Sequence, residues 1–256
     1  MNKIKFFIFT TLAALLLALA VTPLVFPTCA TGEILMQWDF EGKNPFHNLS
    51  LEGEKPEVVN DPLLPGNHAM VSVLRTKSER SERSEVRWDR IEYGVERWVA
   101  VRILVPEPSP HSMMSIFQLG PVRNKAKDDG LGWFQLQMLG PSRTWISRLF
   151  LERVNQPGVR ERVGPVTFGQ WETWVMHFRL ANDDKGFLEL WRSGKKIYQQ
   201  QGHNANPGDR MPIKWGVYIG IGNRIEQDQR VLYDDIVLGD EKSSYQEVTK
   251  RNVGEK

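Results

Sequence analysis

Two short segments carry the residues whose types and spacing could do chemistry, and both alternate as β-strands do. If Arg83-Ser84-Glu85-Val86-Arg87 is a strand, its two arginines and Glu85 share one face. In residues 213–221 the alternation separates Lys214, Tyr218 and two glycines from the apolar residues of a core face. Because glycine has no side chain, we expect room for a ligand beside Lys214 and Tyr218. The two segments predict a cationic groove on one concave sheet, with a phenol in it.

The elements that would position these residues are short strands, separated by Gly, Pro, Asn and Asp. Periodicity indicates strands at 34–40, 69–74, 84–88, 98–105, 113–119, 133–139, 145–151, 171–180, 187–192, 195–199, 213–221 and 231–238. Many strands with turn residues between them predict an all-β fold, an antiparallel sandwich or jelly roll, over residues 31–240. Residues 241–256 are polar and charged, which predicts a loose tail.

Composition argues for one neutral domain. The chain has 256 residues, of which 41% are hydrophobic, and all-β domains of about 200 to 250 residues commonly form one unit. The sequence has 33 basic and 31 acidic residues, and two of the basic ones, Lys3 and Lys5, lie in a segment that we expect to be removed. The remaining balance is neutral. The neutral balance gives no argument for a nucleic-acid partner, so we expect none, and attraction for an anion must come from local clusters of charge. We also expect a monomer.

The N-terminus resembles a secretory signal. Lys3 and Lys5 precede an apolar run over residues 6–26, and the small residues Thr28-Cys29-Ala30 follow. This layout predicts a signal peptide over residues 1–30 with cleavage after Ala30. The mature protein would then be secreted, to the periplasm or the extracellular space, with no stable membrane association.

An uncleaved membrane anchor is the alternative reading of this segment, because the apolar run is long enough to span a bilayer. Pro23 and Pro27 interrupt the run and disfavour one continuous helix. Cys29 is the single cysteine of the chain. If cleavage removes it, the exported domain has no disulfide and no cysteine ligand for a metal.

Two further strands carry polar faces that suit a sugar chain. In residues 133–139, Trp133 and Gln135 alternate with apolar residues, and in residues 171–180, His177 and Arg179 do the same. Aromatic rings stack on sugar rings, whereas amides and guanidinium groups bind hydroxyl and carboxylate groups. The alternative is that these are ordinary solvated faces of antiparallel sheets. The recurrence of the pattern on several strands favours a carbohydrate surface.

Three motifs in the order seen here resemble those of the jelly-roll polysaccharide lyases. They are Arg83-Ser84-Glu85-Val86-Arg87, Phe117-Gln118-Leu119 and Lys214-Trp215-Gly216-Val217-Tyr218. The likeness is to the alginate lyase type and, more closely, to the group that includes glucuronan lyase and heparin lyase I, and it extends over residues 38–240. The resemblance implies a jelly roll of the concanavalin A-like type. It also implies β-elimination on a uronic-acid polymer, without an organic cofactor.

The resemblance also implies roles for single residues. Tyr218 would be the catalytic acid and base, and Gln118 with Arg83 or Arg87 would neutralise the uronate carboxylate and stabilise the enolate-like intermediate. Lys214 would hold the polymer and favour the phenolate form of the tyrosine. Glu85 would orient the two arginines, as part of the substrate-binding set. Periodicity alone places Gln118 on the face of Met114 and Ile116, so its place in the groove depends on the resemblance.

One position departs from the family pattern. Where these lyases carry a histidine two residues after the motif glutamine, this chain has Gly120. Three readings remain open: another histidine fills the role, Tyr218 works alone, or the activity has been lost. The candidate histidines, in order of preference, are His111, His177 and His68.

Acidic residues at the ends of the first and last strands could hold a metal. Asp39 and Glu41 follow the first strand and Asp235 lies in the last, and terminal strands often pair in jelly rolls. Carboxylates are suitable ligands for Ca²⁺, so these residues predict a structural calcium site. The alternative is that they only keep the strand ends soluble.

A non-catalytic carbohydrate-binding protein is the main alternative to a lyase. Gly120 favours this alternative, whereas the presence of the other motif residues favours the enzyme. A glycoside hydrolase on a similar sandwich would need two carboxylates beside the cleaved bond. Glu85 lies between arginines instead, which argues against such a pair.

Overall fold

Fifteen strands and one short helix make up the computed structural model, which describes residues 32–76, 82–106, 113–120, 132–139, 144–151, 159–205, 211–219 and 227–250. The strands are β1 Ile34–Trp38, β2 Ser50–Gly53, β3 Glu57–Asn60, β4 His68–Leu74, β5 Arg83–Trp88, β6 Glu96–Leu104, β7 Met113–Leu119, β8 Gly132–Leu139, β9 Thr144–Leu151, β10 Val159–Pro165, β11 Trp171–Arg179, β12 Phe187–Arg192, β13 Lys195–Gln201, β14 Ile213–Tyr218 and β15 Gln229–Gly239. The helix is α1, Tyr245–Thr249.

The strands form two antiparallel sheets. The eight-stranded sheet has the order β13-β12-β11-β6-β15-β4-β3, with β1 paired to β15, and the seven-stranded sheet has the order β10-β9-β8-β7-β14-β5-β2. The predicted all-β jelly-roll fold is therefore confirmed. The two basic segments of the sequence, β5 and β14, are neighbours in the seven-stranded sheet.

The core lies between the two sheets and is rich in tryptophan. Trp174 of β11 and Trp145 of β9 meet edge to face, with ring centroids 5.2 Å apart. Trp215 of β14 packs in the same way against Phe117 of β7, at 6.1 Å. Because all four side chains are buried, the residues that alternate with them on the seven-stranded sheet must point away from the core.

A β-bulge changes the alternation of β7 at the centre of the seven-stranded sheet. The register of β7 shifts between Ser115 and Phe117 against β8, and it also shifts against β14. Ile116 and Phe117 both enter the core as a result, whereas Ser115 and Gln118 hydrogen-bond side chains on the outward face. The expectation that Gln118 shares a face with Ile116 is wrong, because a bulge breaks the period of two.

A tyrosine from the opposite sheet binds the backbone at this bulge. The hydroxyl of Tyr233 on β15 lies 2.9 Å from the carbonyl oxygen of Ile116 and 3.0 Å from that of Gly216. Burial raises the pKa of Tyr233 well above its ordinary value, so the phenol remains a donor. It supplies a hydrogen bond to carbonyl groups at the point where the ladder is irregular.

The sequence-based expectation for the C-terminal segment needs correction. Residues 245–249 form a helix, and the Ser244 hydroxyl caps it by accepting a hydrogen bond from the Glu247 backbone. Val248 is buried against Ala100 and Val175. The polar segment from 241 to 250 is thus packed on the eight-stranded sheet by one apolar residue, which a composition argument overlooks.

The predicted signal peptide, residues 1–30, lies outside the described residues. In the part of the chain that the structure describes, no helix has the length and apolar character to cross a membrane.

Candidate active site

Two rows of directly opposed residues cross the seven-stranded sheet. The Cα partners of the first row are, in strand order, Arg87, Lys214, Gln118 and Gln135. The Cα partners of the second row are Arg83, Tyr218, Ser115 and Gln137. Opposed residues of antiparallel strands point to the same face, so both rows lie on the outward face of the sheet, called the groove face below. Strand pairing thus brings the three sequence motifs together.

Three cations of the groove face converge on one carboxylate. Glu52 of β2 accepts hydrogen bonds from Arg83 at 3.1 Å, from Lys214 at 2.8 Å and from Arg87. Burial raises the pKa of Glu52, but the hydrogen bond and charge of Lys214, together with the two arginines, outweigh it and hold that pKa below its usual value. Glu52 is therefore ionised and neutralises part of the cationic cluster.

Glu52 is the residue of this site that sequence reasoning missed. It lies on a strand of four residues, Ser50–Gly53, directly opposite Glu85 on β5. The only sequence pattern that could have indicated this strand is the alternation of Leu51 and Glu52, which is too short to predict a strand. Its side chain is 17% exposed, so it remains within reach of a ligand that enters the groove.

Arg83, and not Lys214, is the cation beside Tyr218. The guanidinium carbon of Arg83 lies 4.7 Å from the centroid of the Tyr218 ring. Lys214 is four residues from Tyr218 along β14, roughly 13 Å at about 3.3 Å per residue, and its ammonium group binds Glu52. The cation expected beside Tyr218 is therefore Arg83 and not Lys214, and Arg83 faces Tyr218 across the strand pair.

A chain of side-chain hydrogen bonds links the amides of the groove face to Glu85. Gln137 donates to Gln135 at 2.7 Å, Gln135 donates to Gln118 at 3.2 Å, and Gln118 donates to Glu85 at 2.5 Å. Ser115 also donates to Gln135, at 2.9 Å. Every amide in the chain points its NH₂ group towards the carboxylate, so Glu85 fixes the direction in which the Gln118 amide faces.

Glu85 is almost fully buried, with 1% of its surface exposed. Burial raises its pKa to about 7, against the opposing charges of Lys214 and Arg83 and the hydrogen bond from Gln118. Arg83 lies 3.5 Å from its second oxygen. The predicted orienting role of Glu85 fits these contacts, and it extends to Gln118 as well as to the arginine.

Gly216 does not open space for a ligand, contrary to the expectation from sequence. A Cβ atom at residue 216 would lie 2.6 Å from the Cα of Glu85 and closer still to the carbonyl oxygen of Ser84. The missing side chain instead lets β5 approach β14 closely and lets Glu85 cross β14 towards Gln118. Gly220, the second glycine of the segment, lies outside the described residues.

His177 and Arg179 do not belong to the groove. They lie on β11 in the eight-stranded sheet, where the His177 ring nitrogens contact Glu96 at 2.7 Å and Glu189 at 3.0 Å. Arg179 also binds Glu96. The alternation correctly gave them an outward position, but both sheets of a sandwich have an outward face, and the pattern does not say which sheet a strand joins.

The other candidate residues are placed as follows. Trp133 lies in β8, two residues before Gln135, and the structure describes only its backbone. His68 lies in the eight-stranded sheet and binds Glu41 at 2.8 Å, whereas His111 lies outside the described residues. Gly120 directly follows β7, and its N–H donates to the carbonyl oxygen of Pro212. His177 and His68 both lie in the eight-stranded sheet, so three readings stay open: His111 fills the role, Tyr218 works alone, or the activity has been lost.

The acids predicted to bind calcium do not form a common site. Glu41 binds the backbone N–H and ring of His68, Asp235 accepts a hydrogen bond from Arg102 at 3.1 Å, and Asp39 accepts one from the Glu41 backbone. Within the described residues, no group of three or more metal-ligating side chains occurs. These residues do not fit a calcium site, so we derive no role for a metal from them.

The family assignment follows from the sequence comparison. The sequence model of the family described as "Polysaccharide lyase" matches residues 30–237, which include both rows of the groove face. The chain belongs to the polysaccharide lyase family. The resemblance carried by the three motifs is therefore confirmed, and the enzyme is a polysaccharide lyase. None of the curated proteins matches this lyase in sequence at a significant level.

Solved structures of other lyases share the fold of this lyase. An endo-β-1,4-glucuronan lyase from the fungus Trichoderma reesei is 16% identical, with a TM-score of 0.65 over 84% of this chain and 98% of the other. The alginate lyase Aly36B is 10% identical, with a TM-score of 0.61 over 79% and 95%. An alginate lyase from a Chlorella virus is 9% identical, with a TM-score of 0.58 over 81% and 100%. At such identities the likeness concerns the fold, and the residues of the site are argued from this chain alone.

Proposed function

We propose that this lyase cleaves a uronic-acid-containing anionic polysaccharide by β-elimination, with Tyr218 as acid and base. The observation that carries the proposal is the pairing of Tyr218 with Arg83 in one row, beside Gln118, Lys214 and Arg87 in the next. A phenol, an amide and three cations on one face are the groups that this reaction needs. The alginate and glucuronan named for the structural neighbours are uronate polymers, which also supports the substrate class.

The chemistry begins at the carboxylate of the uronate. Its charge makes the neighbouring C5 proton hardly acidic, so hydrogen bonds from the Gln118 amide and from Arg83 or Arg87 must stabilise the enolate-like intermediate. Gln118 is suited to this task because Glu85 and Gln135 fix its amide group at both ends. The site is therefore held ready before the substrate binds.

Tyr218 would carry the proton from one atom of the substrate to another. As a phenolate it takes the C5 proton, the bond between C4 and the glycosidic oxygen breaks, and the phenol returns the proton to that oxygen. The products are an unsaturated uronate and a new sugar end. Arg83 lies over the Tyr218 ring and contacts it through a cation–π interaction. The cycle leaves Tyr218 as it began, so it needs no organic cofactor.

The proposal includes export of the protein, which rests on the N-terminal segment 1–30. A secreted lyase would meet its polymer outside the cell, where such polysaccharides occur. Partial N-terminal sequencing of the protein recovered from the culture medium would locate the cleavage site.

The test is the ultraviolet absorbance of the unsaturated uronate. Purified protein from residue 31 onwards is incubated with glucuronan, alginate and heparin in separate reactions. We expect absorbance to rise with one polymer and the rise to disappear in Tyr218→Phe, while Tyr245→Phe, which removes a hydroxyl on α1, keeps it. Binding without absorbance for every polymer would contradict the catalytic role and leave a protein that only binds glycans.

A further inference from the structure

The two rows of the groove face continue beyond the proposed catalytic residues to the far edge of the sheet. The first row runs on from Gln135 through the backbone position of Arg148 to Arg160. The second row runs on from Gln137 through Ile146 to Arg162. Strand pairing thus places two arginines of β10 on the same face as Tyr218 and Lys214.

A cleft marks this end of the groove face. It has a volume of about 310 Å³ and is lined by Leu139, Ile146, Arg160 and Arg162. Ile146 is buried and both arginines are exposed, so the cleft has an apolar floor with guanidinium groups beside it. A sugar ring with a carboxylate matches this combination, because its apolar face covers the floor and its charge meets the arginines.

The two arginines of β10 differ from those of the central cluster in their partners. Arg83 and Arg87 are held by Glu52. Arg160 contacts the sulfur of Met113 at 3.8 Å, and no carboxylate of the described residues forms an ion pair with it or with Arg162. Among the described residues, therefore, an anion from solution would not compete with a carboxylate for either arginine.

The spacing between the two cationic regions fits one polymer. β10 lies four strands from β14, which corresponds to about 19 Å at about 4.8 Å per strand. This is the span of several sugar units, and a chain lying along the rows would cross the strands from Arg87 to Arg160. A single uronate could not reach both regions, whereas a longer chain could.

We propose that Arg160 and Arg162 form a remote subsite that binds a carboxylate of the same polyuronate chain whose cleavage occurs at Tyr218. The inference rests on the proposed function for its substrate class. It adds that the enzyme recognises chain length, since only chains that reach β10 gain these contacts. Short oligosaccharides bind through the central cluster alone.

The experiment compares affinities for a trisaccharide and an octasaccharide of glucuronan and of alginate, measured by calorimetry. All proteins carry Tyr218→Phe, so that the ligands stay intact. In R160Q/R162Q we expect the affinity for the octasaccharide to fall about fivefold, as two exposed ion pairs imply, and the affinity for the trisaccharide to stay the same. The difference should shrink at high salt, because exposed charges are screened.

A matched control removes the same charge elsewhere. K195Q/R230Q changes two exposed residues of the eight-stranded sheet and should leave both affinities unchanged. Equal affinities of R160Q/R162Q and its parent for the octasaccharide, or an equal loss for both ligands, would overturn the remote subsite. The protein that keeps Tyr218 is tested separately in the absorbance assay. Product formation by that protein together with such a binding result would leave the proposed function intact. Length-dependent binding without product would overturn only the chemistry at Tyr218.

Discussion

Glu85 passes over Gly216 to hydrogen-bond Gln118, so a carboxylate of β5 fixes an amide that lies two strands away on β7. β14 runs between the two, and a side chain at residue 216 would meet the Glu85 side chain. The orientation of the Gln118 amide therefore depends on a residue that has no side chain.

Gly216→Ala should be strongly destabilising. The added Cβ would lie 2.6 Å from the Glu85 Cα, and the backbone angle φ of 146° disfavours any other residue. We expect the free energy of unfolding to fall by about 3 kcal/mol or more, measured by chemical denaturation. Gly66→Ala is the control, because residue 66 has a φ of 79° and no atom within 4 Å of its added Cβ. That variant should lose about 1 kcal/mol, and equal losses would contradict the steric argument.

Glu85→Gln should alter how stability depends on pH. The folded-state pKa of Glu85 is raised by burial to about 7 from 4.5, so its contribution to stability is fully present below pH 4.5 and is lost as pH rises through 7. The loss amounts to about 3 kcal/mol. Relative to the wild type, the glutamine variant should therefore become more stable between these two values.

The measurement is the free energy of unfolding of both proteins at a series of pH values. Asp234 has a pKa that burial also raises to about 7, but it is present in both proteins, so the difference between them isolates Glu85. A difference that stays constant with pH would show that Glu85 titrates normally in the folded protein.

Tyr233→Phe should impair the enzyme from the opposite side of the core. The variant removes the hydroxyl that binds the carbonyl oxygens of Ile116 and Gly216, and buried groups left without a partner cost about 1 to 3 kcal/mol. Because these carbonyls border the bulge that turns Ser115 and Gln118 outward, we expect kcat to fall about tenfold with little change in KM.

The control for the core tyrosine is Tyr245→Phe, which removes a hydroxyl from α1 and should change stability by less than about 0.5 kcal/mol. If Tyr233→Phe lowers stability and leaves kcat intact, the bulge does not depend on the phenol.

Glu52→Gln should increase the affinity for uronate polymers. Glu52 occupies donors of Arg83, Arg87 and Lys214 that a substrate carboxylate would also use. Removing its charge releases the donors that Glu52 occupies and makes the cluster more positive, so we expect the affinity for a polyanion to rise about threefold or more at low salt. Glu57→Gln, on a strand of the eight-stranded sheet, is the control. An unchanged or weaker affinity in Glu52→Gln would mean that Glu52 mainly orients the cations.

The sequence predicted the centre of the sheets better than their edges. Twelve strands were indicated by alternation, and β2, β3 and β10 were not. All three lie at sheet edges, where strands are short or charged because uncovered edges must not pair with other chains. Glu52 and the arginines at 160 and 162 were missed for that reason, although they belong to the same face as Tyr218.

The position of a residue within its strand was easier to predict than the sheet to which the strand belongs. His177 was correctly given an outward position, yet it lies on the eight-stranded sheet, since that choice depends on pairings between distant segments. For Gln118 the alternation predicted the wrong face of the strand. The bulge at Ile116 is a local irregularity, and no glycine in the sequence there indicates it. The motif of Gln118, rather than its periodicity, placed it correctly.

The place of β14 in the sheet has a consequence for folding. β14 lies between β5 and β7, although it follows β7 by some ninety residues in the chain. Until β14 arrives, the edges of β5 and β7 have no partner at this position, and such long-range pairings form slowly. Tyr218 and its neighbours on both sides therefore come together in a single late event. A growing or truncated chain that ends before residue 218 lacks the complete groove face.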